Sequence, residues 1–509
     1  MLAVGTPCSS HFPQPGRHAP RPPSLRGRAV STTHETAAAR TATVSRLTLT
    51  MMVVGSMVGA GVFSLPRRFA QETGVAGALV AWVVAGSGML MLAFVFQTLA
   101  VRRPALDAGV YAYAKAGFGE LPGFYSAIGY WASACVGNVT YWVLITSTLG
   151  AVAPALGAGD TVLAVVLSSV GLWLFFLLIR RGIREATAIN RIVTIAKVVP
   201  IVVFVLLALF VLDPSVLADN LHGADYTGPV FEQVRDTMLV TVFVFLGVEG
   251  ASVYSRHARR REDVGRATVL GFLAVFAVFA SVTVVSYGVL PMAKIAQLRQ
   301  PSMAGVLEAA VGGWGGTFVS VGLIVSVLGA YLAWSLMAAE VLLVAARDRD
   351  LPRFLARTTS RDVPVNALLL TTGLSQLVLV VTLFSRDAFD FALDLTASLS
   401  LVPFLLAAAY ALKLVLTRES YPAAAGPPVR DGVVAALATV YTAFLVYAAG
   451  PTLLLVSFLF YAPSTVLFVL TRREQGRRVF HPGELVLCGV VGVMAVVAVV
   501  ALAQGWIHL

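Results

Sequence analysis

Charge is scarce in this chain. Asp, Glu, Lys and Arg make up 12% of its 509 residues, about half the share of roughly 25% found in soluble domains. Cysteine is scarcer still. Cys8, Cys135 and Cys488 stand in no CxxC or other ligand spacing, so a disulfide framework, a redox dithiol and a metal site are not signalled. The motifs GxxxxGK[ST], HExxH and GxSxG are missing, and the commonest signs of an enzyme go with them. No cofactor is implied. Apolar and polar residues do not alternate over ten-residue stretches, which excludes a membrane β-barrel.

What abounds is apolar surface, at 58% of the chain. Apolar runs of about 20 residues, the length that crosses a bilayer as a helix, fall near 46–70, 76–100, 122–154, 161–179, 189–212, 233–255 and 268–290. Further runs lie near 314–345, 364–384, 391–416, 432–449, 451–470 and 484–506. In lipid each backbone polar group must be satisfied within the protein, so these runs predict helices. The expected fold class is an all-α polytopic membrane protein with about thirteen spans.

The formal charge of +11 has two readings, a nucleic-acid surface or positive cytoplasmic loops. Its distribution favours the second. The even-numbered connections hold Arg102 and Arg103, Arg180 and Arg181, the run from Arg256 to Arg266, the run from Arg347 to Arg361, and Arg472 to Arg478. The odd-numbered ones hold only Arg67, Arg68, Lys294, Arg299 and Arg386, and 213–232 has no basic residue. This asymmetry predicts a cytoplasmic N-terminus and no nucleic-acid partner. Residues 1–45, rich in Pro, Arg, Ser and Thr without an apolar run, predict a disordered cytoplasmic tail and not a signal peptide.

Two spans carry mid-membrane breaks. The first contains Gly55-Ser56-Met57-Val58-Gly59-Ala60-Gly61 with Pro66 behind it, and the sixth contains Phe245-Leu246-Gly247-Val248-Glu249-Gly250. Each glycine weakens a helix by about 1 kcal/mol against alanine. Spans one and six begin two consecutive five-helix units, 46–212 and 233–416, with 432–506 left as accessory C-terminal helices. Five is odd, so the second unit enters from the opposite face. Broken segments at matching places of two halves point to a transporter binding site. The N–H groups of Gly59, Ala60 and Gly61 at a half-helix start favour a carboxylate. Carbonyls around Phe243, Leu246 and Gly247 end a half-helix and suit an ammonium. Together they describe a zwitterionic amino acid. The alternative for the first motif is a close helix contact from Gly55 to Gly59.

At these residues the sequence resembles the amino acid–polyamine–organocation superfamily, whose five-plus-five inverted-repeat fold is shared with sodium-coupled neurotransmitter symporters. Within it, the chain is most similar to basic amino acid/polyamine antiporters, arginine/ornithine antiporters in particular. The resemblance covers about 46–480 and rests on GSMVGAGVFSLP at 55–66, GYWASACVGN at 129–138, FLGVEGASVYSRHARRREDVGRAT at 245–268 and ARDRDLPRFLAR at 346–357. It implies that Ser56, Gly59, Ala60 and Gly61 bind the substrate carboxylate. Relatives carry serine where this chain has Ala60, which leaves the task to backbone donors or to Ser56. Phe243 stands where some antiporters have a gating tryptophan. Trp334 is a second aromatic of the pathway, and Asn138 a polar neighbour of the substrate side chain. Implied partners are arginine, ornithine and also lysine, with the bilayer of the cell membrane and room for a homodimer.

Ionisable residues within spans are costly and mark function by default. Glu249 in the second break is either a proton- or substrate-linked group or a carboxylate that caps loose N–H groups. Lys197 either stands in for a coupling sodium, as on this helix in some superfamily members, or snorkels to the interface. Asp394, opening the tenth span, either pairs with the cationic end of the substrate or joins Asp387 and Asp390 in a boundary cluster. The expected function is a secondary active exchanger, arginine inward for ornithine outward. A proton-coupled permease for lysine or another amino acid is the alternative, and a transporter-like sensor a remote one.

Overall fold

The computed structural model describes residues 46–104, 106, 109–182, 187–223, 228–249, 261–385, 387–421 and 428–507. The tail 1–45, expected to be disordered, and the arginine-rich stretch 250–260 lie outside them. Among the described residues every regular element is helical. The first span is two helices, α1 (Arg46–Met57) and α2 (Leu65–Ala70), linked through a 3-10 turn at Gly61–Ser64. Next come α3 (Val75–Arg102), α4 (Val110–Phe118), α5 (Glu120–Leu149), α6 (Val162–Arg180), α7 (Thr187–Phe210), α8 (Pro214–Asp219) and α9 (Val230–Phe245). Past the second break lie α10 (Arg261–Ser286), α11 (Met292–Ala296), α12 (Ser302–Val311), α13 (Gly313–Arg347), α14 (Val365–Val381) and α15 (Ala388–Leu416). The chain closes with α16 (Val429–Ala448), α17 (Gly450–Glu474) and α18 (Pro482–Ala503).

Nine of these, α3, α6, α10, α13, α14 and α15 to α18, are long and apolar enough to cross a membrane among the described residues. The four other expected spans fall on the two interrupted helices, on α5 and on α7. The protein is thus a multi-pass helical membrane protein. The short helices α4, α11 and α12 occupy stretches expected to be loops. Their reason is local burial: α12 is only about 15 Å long at 1.5 Å per residue, too short to span, yet it buries Met303, Val306 and Leu307.

α5 is the central post. Its residues from Gly123 to Thr148 are buried, and it packs against α13, α14, α15 and α17. α1 lies on α10, and α9 on α3 and α15. The last helix sits at the rim, with Val486, Val493 and Val496 more than half exposed, as suits a surface against lipid tails. Arg472 fastens this end to the post: its guanidinium, 3% exposed, lies 2.6 Å from Glu120 at the start of α5 and 3.1 Å from Glu484 at the start of α18.

Candidate functional site

The first break begins where α1 runs out of helical partners. Val58 N–H still donates to Val54 O at 2.9 Å. No described carbonyl or side chain accepts from the N–H groups of Gly59, Ala60 and Gly61. Three adjacent donors therefore face the start of the 3-10 turn, an arrangement suited to an anion. The Gly55 carbonyl, which loses the Gly59 donor, finds a substitute. Lys197, 7% exposed on α7, donates to Gly55 O at 3.1 Å, so it points into the protein and does not snorkel. Ser56 Oγ lies 2.8 Å from Val53 O and 3.0 Å from Gly247 O.

The second break sits directly against the first. Gly247 has φ +106°, a conformation that favours glycine. A Cβ there would lie 2.5 Å from Ser56 O. Glu249 is buried and holds the turn: Oε2 accepts Gly247 N–H at 3.0 Å, and Oε1 accepts the Tyr130 hydroxyl at 2.6 Å. Its carboxylate thus caps loose backbone, one of the two roles weighed for it. Gly61 brings the breaks into contact from the other side, since a Cβ on it would meet Val244 at 2.5 Å and the Phe243 ring at 2.8 Å. By contrast, nothing lies within 4 Å of a Cβ on Gly55, and only the Tyr141 hydroxyl approaches Gly59, at 3.3 Å. The close Gly55–Gly59 helix contact is therefore not what these glycines make.

A narrow cavity lies between the breaks. Ser56, Gly59, Ala60 and Gly61 line it from the first break, and Phe243 and Leu246 from α9. Trp334 of α13 and Thr396 of α15 face it, as do Ser133, Gly137 and Tyr141 of α5. Tyr141 was not anticipated. It is 6% exposed, and no described group pairs with its hydroxyl beside Gly59. Its helical spacing is i+4 from Gly137 and i+8 from Ser133, which share its face and line the same cavity.

Two expected side-chain contacts stand back from this cavity. Asn138 is buried and donates to Ser335 Oγ at 3.1 Å, while its Oδ1 is unpaired. Asp394 is in an ion cluster between α2 and α15. Arg68 Nη2 lies 2.8 and 2.9 Å from its two carboxylate oxygens. Arg68 Nη1 also lies 3.3 Å from Asp390, and Arg67 is 2.6 Å from Asp387 and 3.5 Å from Asp390. Asp394 thus joins Asp387 and Asp390 in a cluster, one of the two roles weighed for it, and is held by the Arg68 guanidinium two residues before the cavity-lining Thr396. Nearby, burial raises the Glu72 carboxyl above its ordinary range against the pull of Arg68.

Comparison with known proteins bears on this geometry. Residues 44–471 match the family model described as amino acid permease. An arginine/ornithine antiporter of Pseudomonas aeruginosa is 46% identical over 469 residues, 91% of this chain and 97% of the relative. An L-lysine transport protein of Corynebacterium glutamicum is 38% identical over 93% of this chain and 98% of its own length. A putative arginine/ornithine antiporter of Escherichia coli is 40% identical over 88% and 97%.

Proposed function

The chain belongs to the amino acid permease family, and on that premise we propose that it exchanges cationic amino acids, arginine inward against ornithine outward. The site is the cavity between the two breaks. The N–H groups of Gly59, Ala60 and Gly61, with the Tyr141 hydroxyl, take the substrate carboxylate. The carbonyl edge at Leu246 takes the α-ammonium, because Gly247 O already accepts from Ser56 and Phe243 O from Leu246 N–H. Phe243 and Trp334 close over the bound molecule, and Asn138 orders the wall through Ser335.

The observation that supports the cationic reading is the Asp394 carboxylate, two residues before the cavity-lining Thr396. Among the described residues, Asp387, Asp390 and Asp394 pair with Arg67 and Arg68. In this reading a substrate guanidinium or ammonium shares Asp394 with Arg68 through charge-assisted hydrogen bonds. Alternating access then moves the repeats 46–212 and 233–416 around the site, while the helices of 432–506 stay with the post. Lys197 fills the place of a coupling cation. The chain sits in the cell membrane with its N-terminus in the cytoplasm, in keeping with the arginine-rich connections. One chain holds the whole cavity, so a homodimer would carry two independent pathways.

Counterflow in proteoliposomes tests this. Labelled arginine is expected to enter vesicles loaded with ornithine, arginine or lysine, and to enter poorly without internal substrate. Equal entry into empty vesicles driven by a proton gradient would replace the antiporter with a proton-coupled permease for lysine or a related amino acid. Asp394→Asn is expected to weaken arginine binding at least tenfold, a loss on the scale of one charged hydrogen bond, and to spare neutral substrates.

A further inference from the structure

Away from the cavity, a crevice opens between the end of α3 and the start of α16. Phe94, Gln97, Thr98 and Arg102 form one wall, and Arg430, Asp431 and Val434 the other. It encloses about 600 Å³ including its open mouth. The residues on α3 recur at i, i+3, i+4 and i+8, so they share one face of the helix.

The charges in this crevice do not cancel. Arg102 lies 3.5 Å from Asp431 and 4.2 Å over the Tyr421 ring. The Tyr421 hydroxyl donates to the same Asp431 carboxylate at 2.9 Å. Asp431 therefore balances Arg102. Arg430 is exposed, and its guanidinium lies 6.0 Å from the Phe94 ring, reaching across the crevice. No carboxylate among the described residues pairs with it. One positive charge is left over, beside the Gln97 amide and the Thr98 hydroxyl.

The rim is apolar. Val101 and Val433 beside the crevice are 52% and 53% exposed, and Leu437, one turn further along α16, is 52% exposed. A soluble anion has no use for such a rim, whereas a lipid requires it. We infer that this crevice seats the headgroup of an anionic phospholipid. Its phosphodiester lies against Arg430 and Arg102, Gln97 and Thr98 donate to the headgroup, and the acyl chains run along Val101, Val433 and Leu437. A phosphodiester carries one negative charge and matches the single unbalanced arginine. A phosphate monoester carries nearly two and does not. Basic crevices between membrane helices at the headgroup level are the recurring chemistry of such sites.

Native mass spectrometry of the full-length protein, titrated with phosphatidylglycerol, tests this, with phosphatidylethanolamine and glycerol 1-phosphate as separate arms. Arg430→Gln is expected to retain phosphatidylglycerol about fivefold more weakly, as for loss of one basic contact at a membrane surface. Arg477→Gln, in a different charged patch, should retain it as the parent does. Equal retention by Arg430→Gln and parent overturns the site. So does equal retention of phosphatidylethanolamine, and displacement by glycerol 1-phosphate would make it a soluble-phosphate site instead. Arg430 is exposed, so an unchanged unfolding temperature serves as the folding control.

Discussion

Lys197 Nζ lies 3.1 Å from the carbonyl oxygen of Gly55, the acceptor that would receive Gly59 N–H if α1 continued. A side chain from α7 thus completes a hydrogen bond that the first break removes. Replacing it by Lys197→Met leaves a half-buried carbonyl short of a charged donor, at a cost of roughly 1.5–3 kcal/mol. The variant is expected to unfold at lower temperature and to exchange arginine poorly. For the parent, the proposal that the Lys197 ammonium fills the place of a coupling cation predicts unchanged exchange when sodium is replaced by choline. Sodium-dependent exchange by the parent would remove Lys197 from that role.

Tyr141→Phe deletes one hydroxyl and no packing. The KM for arginine should rise about fivefold, the value of one neutral hydrogen bond near 1 kcal/mol. Inhibition by agmatine, which lacks the carboxylate, should not change. An equal effect on both ligands would place the hydroxyl elsewhere than at the carboxylate.

Gly247 and Gly55 should respond oppositely to alanine. At Gly247 the new methyl meets Ser56 backbone at 2.5 Å, and φ is +106°. Strain of this kind costs on the order of 1–3 kcal/mol, and expression and exchange should both fall. Gly55→Ala adds a methyl to open space within a helix, where alanine is the better former by about 1 kcal/mol. A thermal-unfolding comparison of the two variants separates backbone strain from a general dislike of bulk.

Glu72, in the connection between α2 and α3, has its carboxyl raised, first by burial and against Arg68. A raised acid binds its proton more tightly in the folded state. Its contribution is therefore fully favourable below the ordinary 4.5 and is lost as pH rises through the folded value. Glu72→Gln should unfold at a higher temperature than the parent at pH 7, with the gap closing near pH 4. A gap that stays constant with pH would assign the effect to packing.

The helices were legible in the sequence because lipid forces long apolar runs into one backbone form. The breaks were legible because glycine clusters and Glu249 stand out against such runs. Partners distant in sequence were not. Arg67 and Arg68 read as loop charges, and nothing local says that Arg68 meets Asp394, 326 positions away. The direction of Lys197 was equally hidden, since a lysine near a helix end can turn either way. Tyr141 was missed because aromatics are common in spans, and only its spacing from Ser133 and Gly137 sets it apart. α12 escaped because its ten residues, with Glu308 among them and Pro301 and Gly312 at their ends, look like a connection until their buried neighbours are known.

The Ser56 hydroxyl, 3.0 Å from Gly247 O, has a consequence for how ligands are sorted. In the proposed binding mode each end of an amino acid meets a different interruption, and this bond ties the two interruptions together. Neither can shift to greet half a ligand without dragging the other. Recognition at the site then works as a logical conjunction: a bare amine or a bare acid presents one true input, and only a molecule with both groups in register returns the signal to move.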